Sequence, residues 1–323
     1  MNNPRVWWRP PGSSDVYTME ASDSGTSRFR FVPFKLNGEK PSIEWRGHIV
    51  QADLPLPNTI STDQLFEPIS TTRDEHKSAV EKALELIHSE ELEKVVISRV
   101  KSIKGDCTPE EAFKNKCSAH PDAFVYLLEH PKVGIWCGAT PELLLSASDN
   151  RIETVSLAGT RTRGDDKPWS EKEFEEQALV TDYIKSILEK HRASDLRIEP
   201  KEDLAYGELI HLETRFRFSM KGSIADLAFS LHPTPAVGGR PLKKACDFIL
   251  QNEPFDREYF TGFLGVESAS GSAYYVNLRC AKWQNGGIQL FAGGGIVEGS
   301  DIDSEWKETE AKLNSIESTI VND

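Results

Sequence analysis

Apolar residues change their spacing repeatedly along the chain, and each change marks the start of a new element. Val80, Ala83, Leu84 and Ile87 recur at helical spacing, which predicts a helix over Asp74 to Leu92. Lys94 to Val100 follows directly as an apolar, β-branched strand. Strands are predicted at Ala123 to Leu128, Gly134 to Cys137 and Leu143 to Ala147, with Ile152 to Leu157 pairing back. Ser170 with Glu173 three residues later is a capping-box signature, and it opens a long predicted helix from Glu171 to about His191. Ile210 to Lys221 alternates as a strand. Ser223 to Leu231 and Arg240 to Gln251 read as helices, kept apart by His232-Pro233-Thr234-Pro235 and Gly238-Gly239. Phe263 to Val266, Ala273 to Arg279 and Ile288 to Ala292 read as strands.

Residues 1 to about 70 mix short apolar runs, Phe29 to Phe34 and His48 to Leu54, with proline, glycine and serine, so strands joined by turns are expected and no helix. Helices alternate irregularly with antiparallel-looking hairpins, which favours an α+β class over a βαβ series. One large domain is expected, with antiparallel sheets packed with helices, residues 1–70 forming its β-rich N-terminal part and 71–323 its core. No internal repeat or linker interrupts it.

At 323 residues and 38% hydrophobic content the chain has ample material for a packed core. Its net charge of −13 opposes binding to nucleic acid or anionic membrane. No apolar leader and no stretch of membrane-spanning length is visible, so a cytoplasmic protein is expected. The five cysteines are scattered and form no CxxC pair, which argues against a disulfide framework or a zinc site. No coiled-coil heptads or long apolar faces stand out, so a monomer is expected.

Chemistry gathers near the C-terminus. Leu290 to Leu313 reads as an apolar strand, the triple glycine Gly293-Gly294-Gly295, a polar turn and an acidic helix. Glu305 and Glu308 stand three apart and so share a helix face, and Glu173 and Glu176 repeat that spacing on the earlier helix. Two such pairs suit one Mg²⁺, a hard cation that takes oxygen ligands and shares its shell with substrate oxygens. The alternative for Glu173 is a plain helix cap. The bare backbone of Gly293 and Gly294 would let N–H groups approach an oxyanion, or would simply form a tight turn. The run lacks the GxGxxG spacing of a dinucleotide loop.

Five stretches together resemble the chorismate-utilising enzymes, the family of anthranilate synthase large subunits and of aminodeoxychorismate, isochorismate and salicylate synthases. They are Lys94 to Arg99 (KVVISR), Gly138 to Leu144 (GATPELL), Leu157 to Thr160 (LAGT), Leu231 to Ala236 (LHPTPA) and the run from Arg279 to Leu313. The resemblance covers residues 75–321. It implies lysine at position 94 in members that use water and glutamine in those that use ammonia. It also implies that Ala158 stands where aminodeoxychorismate synthases carry a nucleophilic lysine. Isochorismate synthase is thus the first expectation, serving menaquinone or siderophore synthesis. Salicylate synthase is the second, and an aminating subunit that needs a glutaminase partner is a distant third.

By that resemblance Lys94 is the general base and Glu142 the general acid, chorismate is the substrate, and no amidotransferase subunit is expected. Glu176 and Glu308 would bind Mg²⁺ directly, with Glu173 and Glu305 acting through water. Arg279, read as a strand residue, would hold the enolpyruvyl carboxylate, since a planar guanidinium suits bidentate binding. Gly159 and Thr160 would line the ring, His211 would stand near the leaving hydroxyl, and Ala236 and Phe260 would shape the wall beside the enolpyruvyl group. The bland alternatives are a solvated Lys94, an exposed strand-edge Glu142, a surface-paired Arg279 and a structural His211.

Overall fold

A computed structural model describes all residues except 1–3, 36–37, 53–67, 106, 149–150, 165–167 and 321–323. The strands are β1 (Arg5–Arg9), β2 (Tyr17–Ala21), β3 (Ser27–Val32) and β4 (Ile43–Gln51), then β5 (Lys94–Ile103), β6 (Phe124–His130), β7 (Gly134–Thr140), β8 (Leu143–Ser148) and β9 (Arg151–Thr162). They continue as β10 (Ser194–Ile198), β11 (Glu202–Tyr206), β12 (Leu209–Ser219), β13 (Gly239–Arg240), β14 (Phe263–Ser268), β15 (Gly271–Val276), β16 (Cys280–Gln284) and β17 (Gly287–Ile296). The helices are α1 (Arg73–His88), α2 (Pro109–Ala119), α3 (Glu171–Lys190), α4 (Ile224–Leu231), α5 (Leu242–Asn252) and α6 (Ile302–Glu317).

Antiparallel pairing runs through the strands in one succession, β5-β17-β16-β7-β6-β1-β2-β4-β3-β14-β15-β8-β9-β12, with β13 on the free edge of β5 and β10 and β11 on that of β12. This is an α+β domain in which one large antiparallel sheet carries helices. An aromatic core of Trp8, Phe29, Phe31, Tyr126, Trp136 and Tyr259 draws on strands from several parts of the succession. α2 and α6 pack with β6, β7, β16 and β17, while α3 and α4 pack with β8, β9 and β12. α1 and α5 bury Val80, Ala83, Phe248 and Ile249 against Val95 and Ile97 of β5.

Local chemistry accounts for the helix starts. Thr72 with Glu75, Thr108 with Glu111 and Ser170 with Glu173 form capping boxes that satisfy the first free N–H groups of α1, α2 and α3. The helix α2 and the strands β10 and β11 were not expected. The predicted strand His48 to Leu54 is β4, which ends at Gln51; residues 53–54 lie outside the described set. The strand predicted to reach Arg279 stops at Val276, because Asn277 turns the chain: its N–H donates to Gly262 O, its Nδ2 donates to Tyr259 O (2.8 Å), and its Oδ1 accepts from Tyr126 OH (2.6 Å).

Candidate active site

Lys94 opens β5 and is fully buried, although nothing in its own neighbourhood of sequence requires that of a lysine. The cause is the adjoining strand. β17 pairs with β5 so that Gly293 faces Ser98, Gly294 faces Ile97 and Gly295 faces Val96. The triple glycine is therefore strand, not a turn, with β5 on one edge only; the Gly293 carbonyl faces the other way, where Lys312 reaches it. What glycine contributes here is room. A Cβ on Gly295 would lie 2.2 Å from Oε1 of Glu176 and 3.0 Å from Cε of Lys94, and one on Gly294 would lie 3.3 Å from Oε2 of Glu305.

Three carboxylates and three lysines meet above this strand. Lys94 Nζ lies 2.9 Å from Glu176 Oε1, close enough to pair as charges but off the alignment of a hydrogen bond. Lys312 Nζ donates to Glu308 Oε1 (2.7 Å) and to the Gly293 carbonyl (2.8 Å). Lys172 Nζ donates to Glu305 Oε1 (2.5 Å), while Glu305 Oε2 is buried without a hydrogen-bond partner among the described residues. Burial and the nearby Glu308 push Glu305 up to about 7 against the pull of Lys172. Burial acts on Glu308 in the same sense, but Lys312 and Lys172 outweigh it and hold that carboxylate below its usual range.

Glu173 does not join this group. Its carboxylate accepts the Ser170 N–H (2.8 Å) as the cap of α3, although Glu173 lines a neighbouring pocket together with Lys172, Glu305 and Glu308. As they stand, no three possible metal ligands among the described residues are gathered into one cluster, each of the other carboxylates being answered by a lysine. The donor chemistry nevertheless fits a hard cation: the set is all oxygen, and the unpartnered Glu305 Oε2 is a ready acceptor.

Beside the carboxylates lies a cavity of about 80 Å³ that opens to solvent. Glu142, Gly159, Thr160, Glu176, His211, Ala236, Phe260, Arg279, Gly293 and Glu308 all contribute to its wall, whereas Lys94, Glu305 and Gly294 stand behind it. Glu142 sits in the short break between β7 and β8, its N–H turned to Thr140 Oγ1 (3.3 Å) and its carbonyl taking the Val276 N–H (3.0 Å). It is almost completely buried rather than exposed at a strand edge. That burial raises its pKa to about 8 against the pull of Lys94 and Lys312, so the group is a neutral acid at pH 7.

Arg279 lies in the bend between β15 and β16, not on a strand, with a φ of 50°. Its buried guanidinium touches His211, Ser315 and the ring of Tyr206, and no ion pair to a carboxylate is formed among the described residues. Burial, with Arg279 and Lys312 nearby, presses His211 down to about 3, so the imidazole is neutral. Gly159 needs its glycine: φ is 75°, and a Cβ there would come within 3.2 Å of Glu173 Cβ. Phe260 stacks on Phe291 at 5.5 Å and closes the apolar side.

Sequence reasoning missed two cations, Lys172 and Lys312. The signal for Lys312 was present, four residues after Glu308 on one helix face. Lys172 precedes Glu173 and Glu176 in the first turn of α3, and only the tertiary fold brings it to Glu305.

A model of the family described as chorismate binding enzyme matches residues 45–321. The chain belongs to the chorismate binding enzyme family. Isochorismate synthase EntC of Escherichia coli K12 is 33% identical over 253 residues, spanning 73% of this chain and 64% of that protein. Isochorismate synthase DhbC of Bacillus subtilis 168 is 30% identical over 280 residues, spanning 78% and 68%. The solved structure of MenF, a menaquinone-specific isochorismate synthase of Escherichia coli, superposes with a TM-score of 0.83 at 20% identity, covering 99% of this chain and 89% of that one, and shows a shared fold. Among the described residues no helix is long and apolar enough to cross a membrane.

Proposed function

We propose that this chain is an isochorismate synthase, which isomerises chorismate by adding water at C2, shifting the ring double bonds and releasing the C4 hydroxyl, and so supplies a menaquinone or siderophore route. The observation that carries the reading is Glu142, a carboxylic acid kept protonated near neutral pH at the wall of a cavity, with Lys94 behind that wall and close enough to pull on its charge. Hydroxide is a poor leaving group and needs a proton, while water needs to lose one; the pair supplies both roles. Glu142 donates its proton to the departing hydroxyl, and Lys94 is the base toward the attacking water.

Arg279, buried without a carboxylate of its own, holds the enolpyruvyl carboxylate. Lys312 adds positive potential beside Glu308. Glu176 and Glu308 would hold Mg²⁺ with Glu305 acting through water, and the bound ion would neutralise the ring carboxylate in an otherwise acidic corner. Ala158 presents only a methyl group to the cavity and offers no amine for covalent capture of the ring, which supports water as the nucleophile.

Purified protein incubated with chorismate and Mg²⁺, with and without chelator or ammonium, and resolved by chromatography tests the reading. Metal-dependent isochorismate is expected. Salicylate with pyruvate would replace the proposal with the lyase activity, and an aminated product would replace it with ammonia chemistry. Lys94→Ala is expected to abolish turnover, and Glu142→Gln to lower it about 10²–10⁴-fold, each in a folded protein.

A further inference from the structure

The contacts of His211 fix which of its nitrogens carries the proton. Nδ1 lies 3.0 Å from the carbonyl oxygen of Gly159, a group that can only accept, so Nδ1 is protonated. Nε2 lies 3.3 Å from Nη2 of Arg279, and a guanidinium can only donate, so Nε2 presents its lone pair. The Thr160 hydroxyl, 3.3 Å from Nδ1, suits either arrangement because it both gives and takes. We infer that His211 is a fixed neutral imidazole, protonated at Nδ1, that aims the Arg279 guanidinium into the cavity, and is a positioning residue instead of a proton donor to the substrate.

The surroundings of Arg279 agree with that role. Its backbone is in the left-handed region, φ 50°, which a bend in the chain must hold in place. Tyr206 lies beneath the guanidinium at 5.4 Å, is held by its hydroxyl to the Ala139 carbonyl, and stacks on His120 at 4.6 Å. Ser315 Oγ stands at 3.4 Å on a further side. These partners are all uncharged. The cation is therefore oriented without being neutralised, the arrangement needed to receive an anionic ligand group. The burial that keeps the ring of His211 neutral, reinforced by Arg279 and Lys312 and opposed by the Gly159 carbonyl and Glu308, points the same way.

The tautomer is read directly by two-dimensional NMR of protein labelled with ¹⁵N-histidine, without substrate, at pH 7.5. The His211 signal is assigned by its absence from His211→Gln. It is expected to show a protonated Nδ1 and an unprotonated Nε2; a proton on Nε2, or on both nitrogens, would overturn the inference. A second arm rests on the proposed function. His211→Gln keeps an oxygen that can accept from Arg279, and His211→Leu does not. The Leu variant is expected to raise KM for chorismate about tenfold or more, as for losing a hydrogen bond to a charged group, with a smaller change in kcat. Gln is expected to recover most of that loss. A collapse of kcat that Gln fails to rescue would mark His211 as a proton donor and reject the positioning role. A wrong substrate would show as absence of turnover in the unaltered protein, which is distinguishable from a wrong tautomer in the spectrum.

Discussion

Replacing Gly295 with alanine would separate the role of space from every other property of the glycine run. The added Cβ would stand 2.2 Å from Glu176 Oε1, 2.9 Å from its Cδ and 3.0 Å from Lys94 Cε. Ordinary contact begins at about 3.4 Å, so the carboxylate must retreat by roughly 1 Å. It is the far end of a flexible side chain, so the fold tolerates the move at a cost of about 1–3 kcal/mol, as for other overpacked sites. Activity does not tolerate it: misplacing a reacting or ligating group by about 1 Å costs on the order of 10²-fold. The expected result is a folded protein with kcat/KM for chorismate about 100-fold down. Circular dichroism and thermal melting would report the fold, and chromatography of isochorismate the rate. Gly105→Ala, where a Cβ meets nothing within 4 Å, is the control. Activity of Gly295→Ala within about threefold of the unaltered protein would refute the idea that the missing side chain positions Glu176 against Lys94.

Further outcomes are expected from the same geometry. Because Glu142 titrates near 8 and acts as an acid, kcat/KM is expected to fall as pH rises through about 8, and Glu142→Gln is expected to lose about 10²–10⁴-fold in rate together with that limb of the profile; a limb that persists in the variant would place the acid elsewhere. Calorimetry of Mg²⁺ binding is expected to weaken at least about tenfold in Glu308→Gln but hardly in Glu173→Gln, since Glu173 serves α3 as its cap; equal losses would restore Glu173 to the metal set. Burial holds His76, His120 and His232 at about 4 in the folded protein against an unfolded value near 6.5. Below pH 6.5 the unfolded chain binds more protons, so stability is full above 6.5 and is lost as pH falls towards 4, by up to about 3 kcal/mol for each ring. Urea midpoints that stay constant between pH 7.5 and 5 would contradict that burial.

The elements that announced themselves did so through local rules. α1 and α3 combine a capping box with an apolar stripe, and β5 is a β-branched run, so each is legible in a short window. α2 carried the same cap, Thr108 with Glu111, but an inward position of its stripe is taken by Lys116, which is buried and donates to Thr319 Oγ1 (2.8 Å), so the apolar pattern breaks. β10 and β11 are short, largely exposed strands, too brief for their alternation to stand out, and they form by pairing with β12. Gly293 to Gly295 misled because glycine is a poor strand former; its reason lies on other elements, in Glu176, Glu305 and Lys94. Most residues named from motifs do line the cavity. Their ion pairs were not legible, because Lys172 with Glu305 and Lys94 with Glu176 join segments whose register no local pattern encodes.

The ladder between β5 and β17 has a consequence for how the protein is made. Lys94 emerges from the ribosome long before its partner strand β17 and the acidic helix α6. In the interval one edge of the apolar strand Val95 to Val100 is open, and a growing chain offers that edge to any neighbour able to add a strand. Formation of the reaction centre and closure of this edge are then a single late event with high contact order. Variants that slow it, well away from the cavity, would lower yield in cells by aggregation while leaving the specific activity of the recovered protein untouched.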